Sequence, residues 1–143
     1  MLRGIAPQIS PELLKALAEM GHSDEIVISD AFFPASKYND RIIRADGLKI
    51  PELLAGILPL ITLDSYIPSP VLMMQPGEGD ELDPTVEASY RAEIDKVWPE
   101  TPATERIGRF EFYERAKSAF CVVVSGETAK YGNVILSKGV INR

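Results

Sequence analysis

The sequence predicts an α/β fold, a single-domain layered sheet with flanking helices, and three observations carry that expectation. Short apolar runs at residues 26–28, 71–74 and 119–124 read as strands buried on both faces. Between them lie amphipathic stretches opened by proline, two of which place a capping residue in front, Ser10-Pro11 and Asp83-Pro84. No internal repeat or low-complexity linker breaks the alternation, and 143 residues with 45% hydrophobic content suffice for one core spanning residues 1–143.

In chain order, Ser10-Pro11-Glu12 starts a helix that runs to about Met20, with Leu13, Leu14, Leu17 and Met20 on its apolar side. Gly21 is positioned to stop it by taking the left-handed conformation. A strand over residues 26–29 follows and delivers Asp30 at its end, where open α/β sheets form their ligand crevice. Residues 31–40 hold Pro34, Ser36, Asn39, Asp40 and two phenylalanines, a composition suited to a surface loop over that crevice. Residues 41–44 form a short strand, Asp46-Gly47 a turn, and Pro51 opens a helix ending near Pro59. Residues 63–70 are irregular because Pro68 and Pro70 prevent regular pairing. A strand at 71–74 and a helix from Asp83-Pro84 to about Val97 come next, the helix striped by Val86, Tyr90, Ile94 and Val97. Residues 106–109 lead into a helix over 110–118, in which Phe110, Phe112 and Tyr113 read as core. A strand over 119–124, a turn at Gly126 and a closing strand at 134–136 complete the chain.

Charge and composition narrow the function. A net charge of −6 at pH 7 speaks against nucleic acid and anionic membrane surfaces as partners, since both require clustered cations. Cys121 is the one cysteine, so no intrachain disulfide forms, and its apolar neighbours suggest a buried thiol in a reducing, cytoplasmic setting. No apolar run reaches the length of a membrane helix, and the first residues lack a secretory layout. One His and one Cys do not make a Cys/His zinc site, and Asp and Glu are too common for spacing to single out a carboxylate metal site, which stays open; no metal ligand is assigned. Neither a phosphate-binding loop nor Gly-x-Ser-x-Gly occurs.

Several residues read two ways. His22 is either a helix-end cation favouring the negative pole of the dipole or a group that gives and takes protons near neutrality. Asp30 suits a turn or a site, and Arg109 suits the surface or a ligand contact. Tyr131-Gly132-Asn133 makes an ordinary turn or brings a phenol and an amide to one small ligand. Lys130 reads as a solvated cation rather than a Schiff-base lysine.

A resemblance extends these readings over nearly the whole chain. It is carried by Ser10-Pro11-Glu12-Leu13-Leu14, Leu17-Ala18-Glu19-Met20-Gly21-His22, Phe33-Pro34-Ala35, Ile43-Arg44-Ala45-Asp46-Gly47-Leu48 and Leu63-Asp64-Ser65-Tyr66. Further on, Arg109-Phe110, Phe112-Tyr113-Glu114-Arg115-Ala116 and Ala129-Lys130-Tyr131-Gly132-Asn133 continue it. These segments resemble the ribose pyranase and L-fucose mutarotase family (RbsD/FucU-like), and Arg109 looks like its fucose branch, the ribose branch being similar to histidine there. The resemblance implies an RbsD-like α/β fold and an isomerase that interconverts the α and β anomers of a free aldose without a cofactor. His22 would be the proton-transferring residue, with Asp30, Arg109, Tyr131, Gly132 and Asn133 at the monosaccharide. It also implies a homo-oligomer, commonly a decamer, whose site is completed across a subunit interface. Phe32 and Phe33 would then set an apolar wall beside the sugar. A sugar-binding or regulatory protein without turnover, and an aldose-ketose isomerase, are the rival expectations.

Overall fold

The computed structural model describes residues 1–142 and is built on one six-stranded sheet. The strands are β1 (Glu25–Ser29), β2 (Ile42–Ala45), β3 (Val71–Met74), β4 (Glu105–Ile107), β5 (Cys121–Ser125) and β6 (Val134–Ser137), in the spatial order β2-β5-β1-β6-β3-β4. β5 pairs in parallel with β1 and β2, and β3 with β4. β6 runs antiparallel to both of its neighbours, β1 and β3. The carboxyl ends of five strands therefore share one edge of the sheet, and β6 starts at that edge.

The central strands carry continuous apolar runs because helices cover both faces. Ile26, Ile28, Cys121, Val123, Val134 and Leu136 point into one core with α1 (Pro11–Glu19), α3 (Ile50–Ile57) and α4 (Pro84–Val97). Their alternates Val27, Val122, Val124 and Ile135 face a second core with α2 (Ala35–Tyr38) and α5 (Arg109–Ser118). Each large aliphatic side chain fully buried in this way contributes about 1.5–3 kcal/mol. Cys121 belongs to the first core, and burial pushes its thiol up to about 12, which leaves it a hydrophobe rather than a nucleophile.

The predicted caps are formed. Ser10 Oγ accepts from Leu13 N at 3.1 Å, and Asp83 Oδ1 accepts from Thr85 N at 2.9 Å. The predicted stop at Gly21 takes another form: Ser23 has the left-handed backbone, with φ of 69°, while Gly21 N donates to Asp24 Oδ2 at 2.7 Å. Residues 31–40 are not all loop, since Phe33 and Ala35 bury their side chains and anchor the short helix α2. β4 was expected only as a lead-in to α5. Three residues of mixed polarity carry no strand period, and their pairing with β3 is what orders them. Phe110 departs from the expected core, standing 82% exposed while Phe112 is fully buried two positions on.

β6, the closing strand expected at 134–136, occupies the middle of the sheet. Its entry is tied to α4 by one bond: Tyr90, buried, donates its hydroxyl to Gly132 O at 2.7 Å. Burial raises the Tyr90 hydroxyl far above the usual phenol range, so it acts as a fixed donor. Tyr90→Phe leaves the buried Gly132 carbonyl without this partner and is expected to lower stability by about 1–3 kcal/mol, read from urea unfolding midpoints.

Candidate active site

The carboxyl edge of the sheet holds a cavity of about 370 Å³, a volume suited to a small ligand. Asp30 follows β1, Met74 ends β3 with Gln75 next, Gly108 and Arg109 follow β4, and Asn133 stands just before β6; all of them line it. Phe32, Phe33 and Pro34 form one wall, Pro76, Gly77, Lys130 and Tyr131 another, and Tyr113 closes the side beside Arg109. The sheet topology thus gathers residues separated by a hundred positions in the chain.

Asp30 and Asn133 are locked together. Asn133 Oδ1 accepts from Asp30 N at 2.7 Å, which turns the amide so that Nδ2 is left to donate. Asp30 Oδ1 accepts from Phe32 N at 3.0 Å. Asp30 as a residue is 9% exposed, and burial raises its pKa, an effect opposed by the Phe32 and Phe33 amides and reinforced by the negative charge of Glu127. Glu127 is itself buried and spends its Oε2 on the Thr128 and Ala129 amides, at 3.1 and 3.2 Å, which shapes the turn leading to Tyr131.

Arg109 opens α5 after Gly108 and is exposed. Its Nε donates to Tyr113 Oη at 3.2 Å with the guanidinium 5.4 Å from that ring's centroid, and Tyr113 stacks on Tyr38 at 4.8 Å. The guanidinium is therefore steadied through Nε while its terminal nitrogens remain to donate.

Tyr131 lines the cavity, as its expected place at the site requires, and its hydroxyl is bonded within the wall. Its hydroxyl donates to Asp80 Oδ2 at 2.7 Å and accepts from Gly77 N at 2.9 Å, so it holds the 76–80 turn over the cavity. Lys130 Nζ grips Asp80 Oδ1 at 2.7 Å, and the bonds from Lys130 and Tyr131 together lower the Asp80 carboxyl to about 2. Lys130 is exposed, as expected. Tyr131 adopts a positive φ of 55°, uncommon for a residue with a side chain. Gly132 serves packing rather than the cavity: a Cβ there would meet Ala129 O at 2.9 Å and Tyr90 Oη at 3.0 Å.

His22 lies elsewhere. It precedes β1, and the five residues of that strand alone separate the two sheet edges by roughly 16 Å. At this far edge Ser23 N donates to Lys138 O, and His22 Nε2 meets Asp64 Oδ1 at 3.3 Å. The structure thus brings Asp30, Arg109, Tyr131 and Asn133 together and leaves His22 apart. Asp80 and Gly77 gave no signal in the sequence, because an acidic glycine-bearing turn looks like any other; Asp64 lay within a segment that carried the resemblance.

Comparison with known proteins places this arrangement. The model of the RbsD / FucU transport protein family matches residues 3–141. The chain belongs to the RbsD / FucU family. Within it, an L-fucose mutarotase of Histophilus somni is 56% identical over 140 residues, covering 98% of this chain and 97% of that protein. The fucose mutarotase of Streptococcus pneumoniae, solved in complex with L-fucose, superposes with a TM-score of 0.93 at 43% identity over 99% of this chain and 100% of that one. RbsD of Bacillus subtilis, solved with D-ribose, shares the fold at a TM-score of 0.72 and 24% identity, covering 99% of this chain and all of that one. The mixed sheet with helices on both faces is thus the RbsD / FucU fold.

The raised pKa of Asp30 has a consequence for stability. A carboxyl whose pKa is raised by folding opposes the folded state when ionised, and that opposition fades as pH falls through its folded pKa. Asp30→Asn keeps an acceptor for Phe32 N and removes the charge. The variant is expected to unfold at higher urea than the parent at neutral pH, with the gap closing as the pH is lowered into the carboxylate range.

Proposed function

We propose that this protein is a mutarotase that interconverts the anomers of a free aldose, L-fucose or a sugar of similar shape, by general acid-base ring opening. The observation that carries the reading is the cavity. It sets a carboxylate, a guanidinium and a primary amide around a space of sugar size, beside apolar walls from Phe32 and Phe33. Similarity at 56% identity to an L-fucose mutarotase supports the same reading.

Ring opening moves one proton onto the ring oxygen and one off the anomeric hydroxyl, and closure on the other carbonyl face reverses both, so no net proton is consumed. Asp30 accepts from sugar hydroxyls, and Arg109 and Asn133 donate to them. Tyr131 holds the wall through Asp80 rather than transferring a proton. The proton carrier is His22, the chain's one imidazole. Because it stands at the opposite sheet edge from its own Asp30, the reading requires His22 of a neighbouring copy to reach the cavity, in a homo-oligomer acting within the cytoplasm. A sugar-binding protein without turnover is the second reading, and it draws on the lack of an imidazole in the cavity of one chain.

Saturation-transfer NMR on L-fucose at anomeric equilibrium tests the proposal. The parent is expected to exchange the anomers well above the rate in buffer, and a parent with no effect on exchange would sink the mutarotase reading in favour of binding alone. His22→Ala is expected to lose about 10²- to 10⁴-fold of exchange with L-fucose affinity retained. Asn133→Ala weakens binding by about 0.5–1.5 kcal/mol and Arg109→Ala by about 1.5–3 kcal/mol, measured by sugar titration.

Hybrids test the shared site. His22→Ala and Asn133→Ala chains, dissociated and reassembled together, are expected at L-fucose concentrations well below KM to exchange anomers faster than the same two chains kept apart, because some hybrid interfaces pair intact His22 with intact Asn133. An active monomer in sedimentation at assay concentration, or folded hybrids with no such gain, would rule the shared site out.

A further inference from the structure

We propose that Asp64 fixes the imidazole of His22 with its proton on Nε2, which makes Nδ1 the nitrogen that exchanges protons with the sugar. The inference rests on the reading of His22 as the acid-base group.

Asp64 is held as few surface-loop residues are. Its backbone N donates to Ser137 O at 3.0 Å, its neighbour Leu63 bridges to Lys138, and Gly139 packs so tightly that an added Cβ would lie 2.8 Å from Asp64 Cα. The Asp64 side chain is 1% exposed and that of His22 45% exposed, so the carboxylate lies beneath the ring while the imidazole reaches outward. Asp64 Oδ1 accepts from Tyr66 N at 3.0 Å and meets His22 Nε2 at 3.3 Å. Tyr66 flanks the imidazole with its ring centroid 5.4 Å away.

The other charged groups nearby are committed. Lys138 Nζ donates to Leu17 O and Met20 O, at 2.8 and 2.6 Å, and Asp24 Oδ2 accepts from Gly21 N. Among the described residues, His22 is then the one ionisable side chain bonded to Asp64. An ionised carboxylate only accepts, so the nitrogen that faces it carries hydrogen and the opposite nitrogen keeps its lone pair. When Nδ1 takes the anomeric proton the imidazole becomes a cation, and Asp64 supplies the compensating charge until Nδ1 passes that proton to the ring oxygen as the sugar opens. Closure on the other face reverses both transfers. Asp30, at the other end of β1, does not reach the His22 of its own chain.

A single histidine allows the test to be read without assignment. Long-range ¹H–¹⁵N correlation spectra of the labelled parent are expected to show His22 with its hydrogen on Nε2. Asp64→Asn keeps an acceptor for Tyr66 N and removes the charge, whereas Asp64→Ala removes the acceptor altogether, so the preference for hydrogen on Nε2 is expected to be lost in the Asp64→Ala spectra. For anomer exchange of L-fucose by Asp64→Asn, kcat is expected to fall about tenfold or more with KM within about twofold of the parent. Hydrogen on Nδ1 in the parent overturns the proposal without any variant. So does an unchanged tautomer preference in Asp64→Ala, or unchanged kcat in Asp64→Asn where His22→Ala is inactive. If His22→Ala itself exchanges anomers like the parent, the acid-base reading of His22 falls, and the role of Asp64 in exchange falls with it.

Discussion

The reversed direction of β6 is the constraint on which the rest of the site depends. Five strands run one way, and each delivers its carboxyl end to the same edge; one strand runs back, pairing with β1 on one side and β3 on the other. Because β6 runs back, its first residues emerge among the last residues of its neighbours. Asn133 can then bond Asp30 across 103 positions of sequence at 2.7 Å. A parallel β6 would put Asn133 at the far edge and leave the amide of Asp30 without that partner. Full burial of Val134, Ile135 and Leu136 holds the strand in this register, since a slip of one residue would exchange the faces of all three.

The electrostatics of the cavity follow from the same edge. Two carboxylates, Asp30 and Glu127, are buried near one another, and each is satisfied chiefly by backbone amides rather than by cations. Amide donors tolerate a carboxylate without neutralising it, so Asp30 remains a strong acceptor for a neutral, hydroxyl-bearing ligand. Asp80, on the surface, is treated oppositely: a lysine and a phenol hold it firmly ionised, and it organises the wall instead of the ligand.

Much of this was legible in the sequence, for identifiable reasons. Ser10-Pro11 and Asp83-Pro84 announced their helices because a cap needs only one side chain and its local backbone. Residues 26–28 and 71–74 announced buried strands because both faces are covered. Asp30, Arg109, Tyr131 and Asn133 were named through position and resemblance, and the structure gathers them in one cavity. What stayed hidden depends on partners distant in sequence. β4 forms because β3 lies beside it, Phe110 is left outside because α5 turns Phe112 inward, and the role of Tyr131 is set by an aspartate 51 positions away. Gly132 was named for a ligand and serves the packing of Tyr90.

Tyr131 gives the cavity one further property. A side chain held at positive φ, with its hydroxyl bonded on two sides, has little conformational freedom left to lose. The ordering of that wall is accomplished during folding and not at the moment of encounter. A ligand therefore meets a preformed surface, and its affinity is not diminished by the entropy of closing a loose loop around itself.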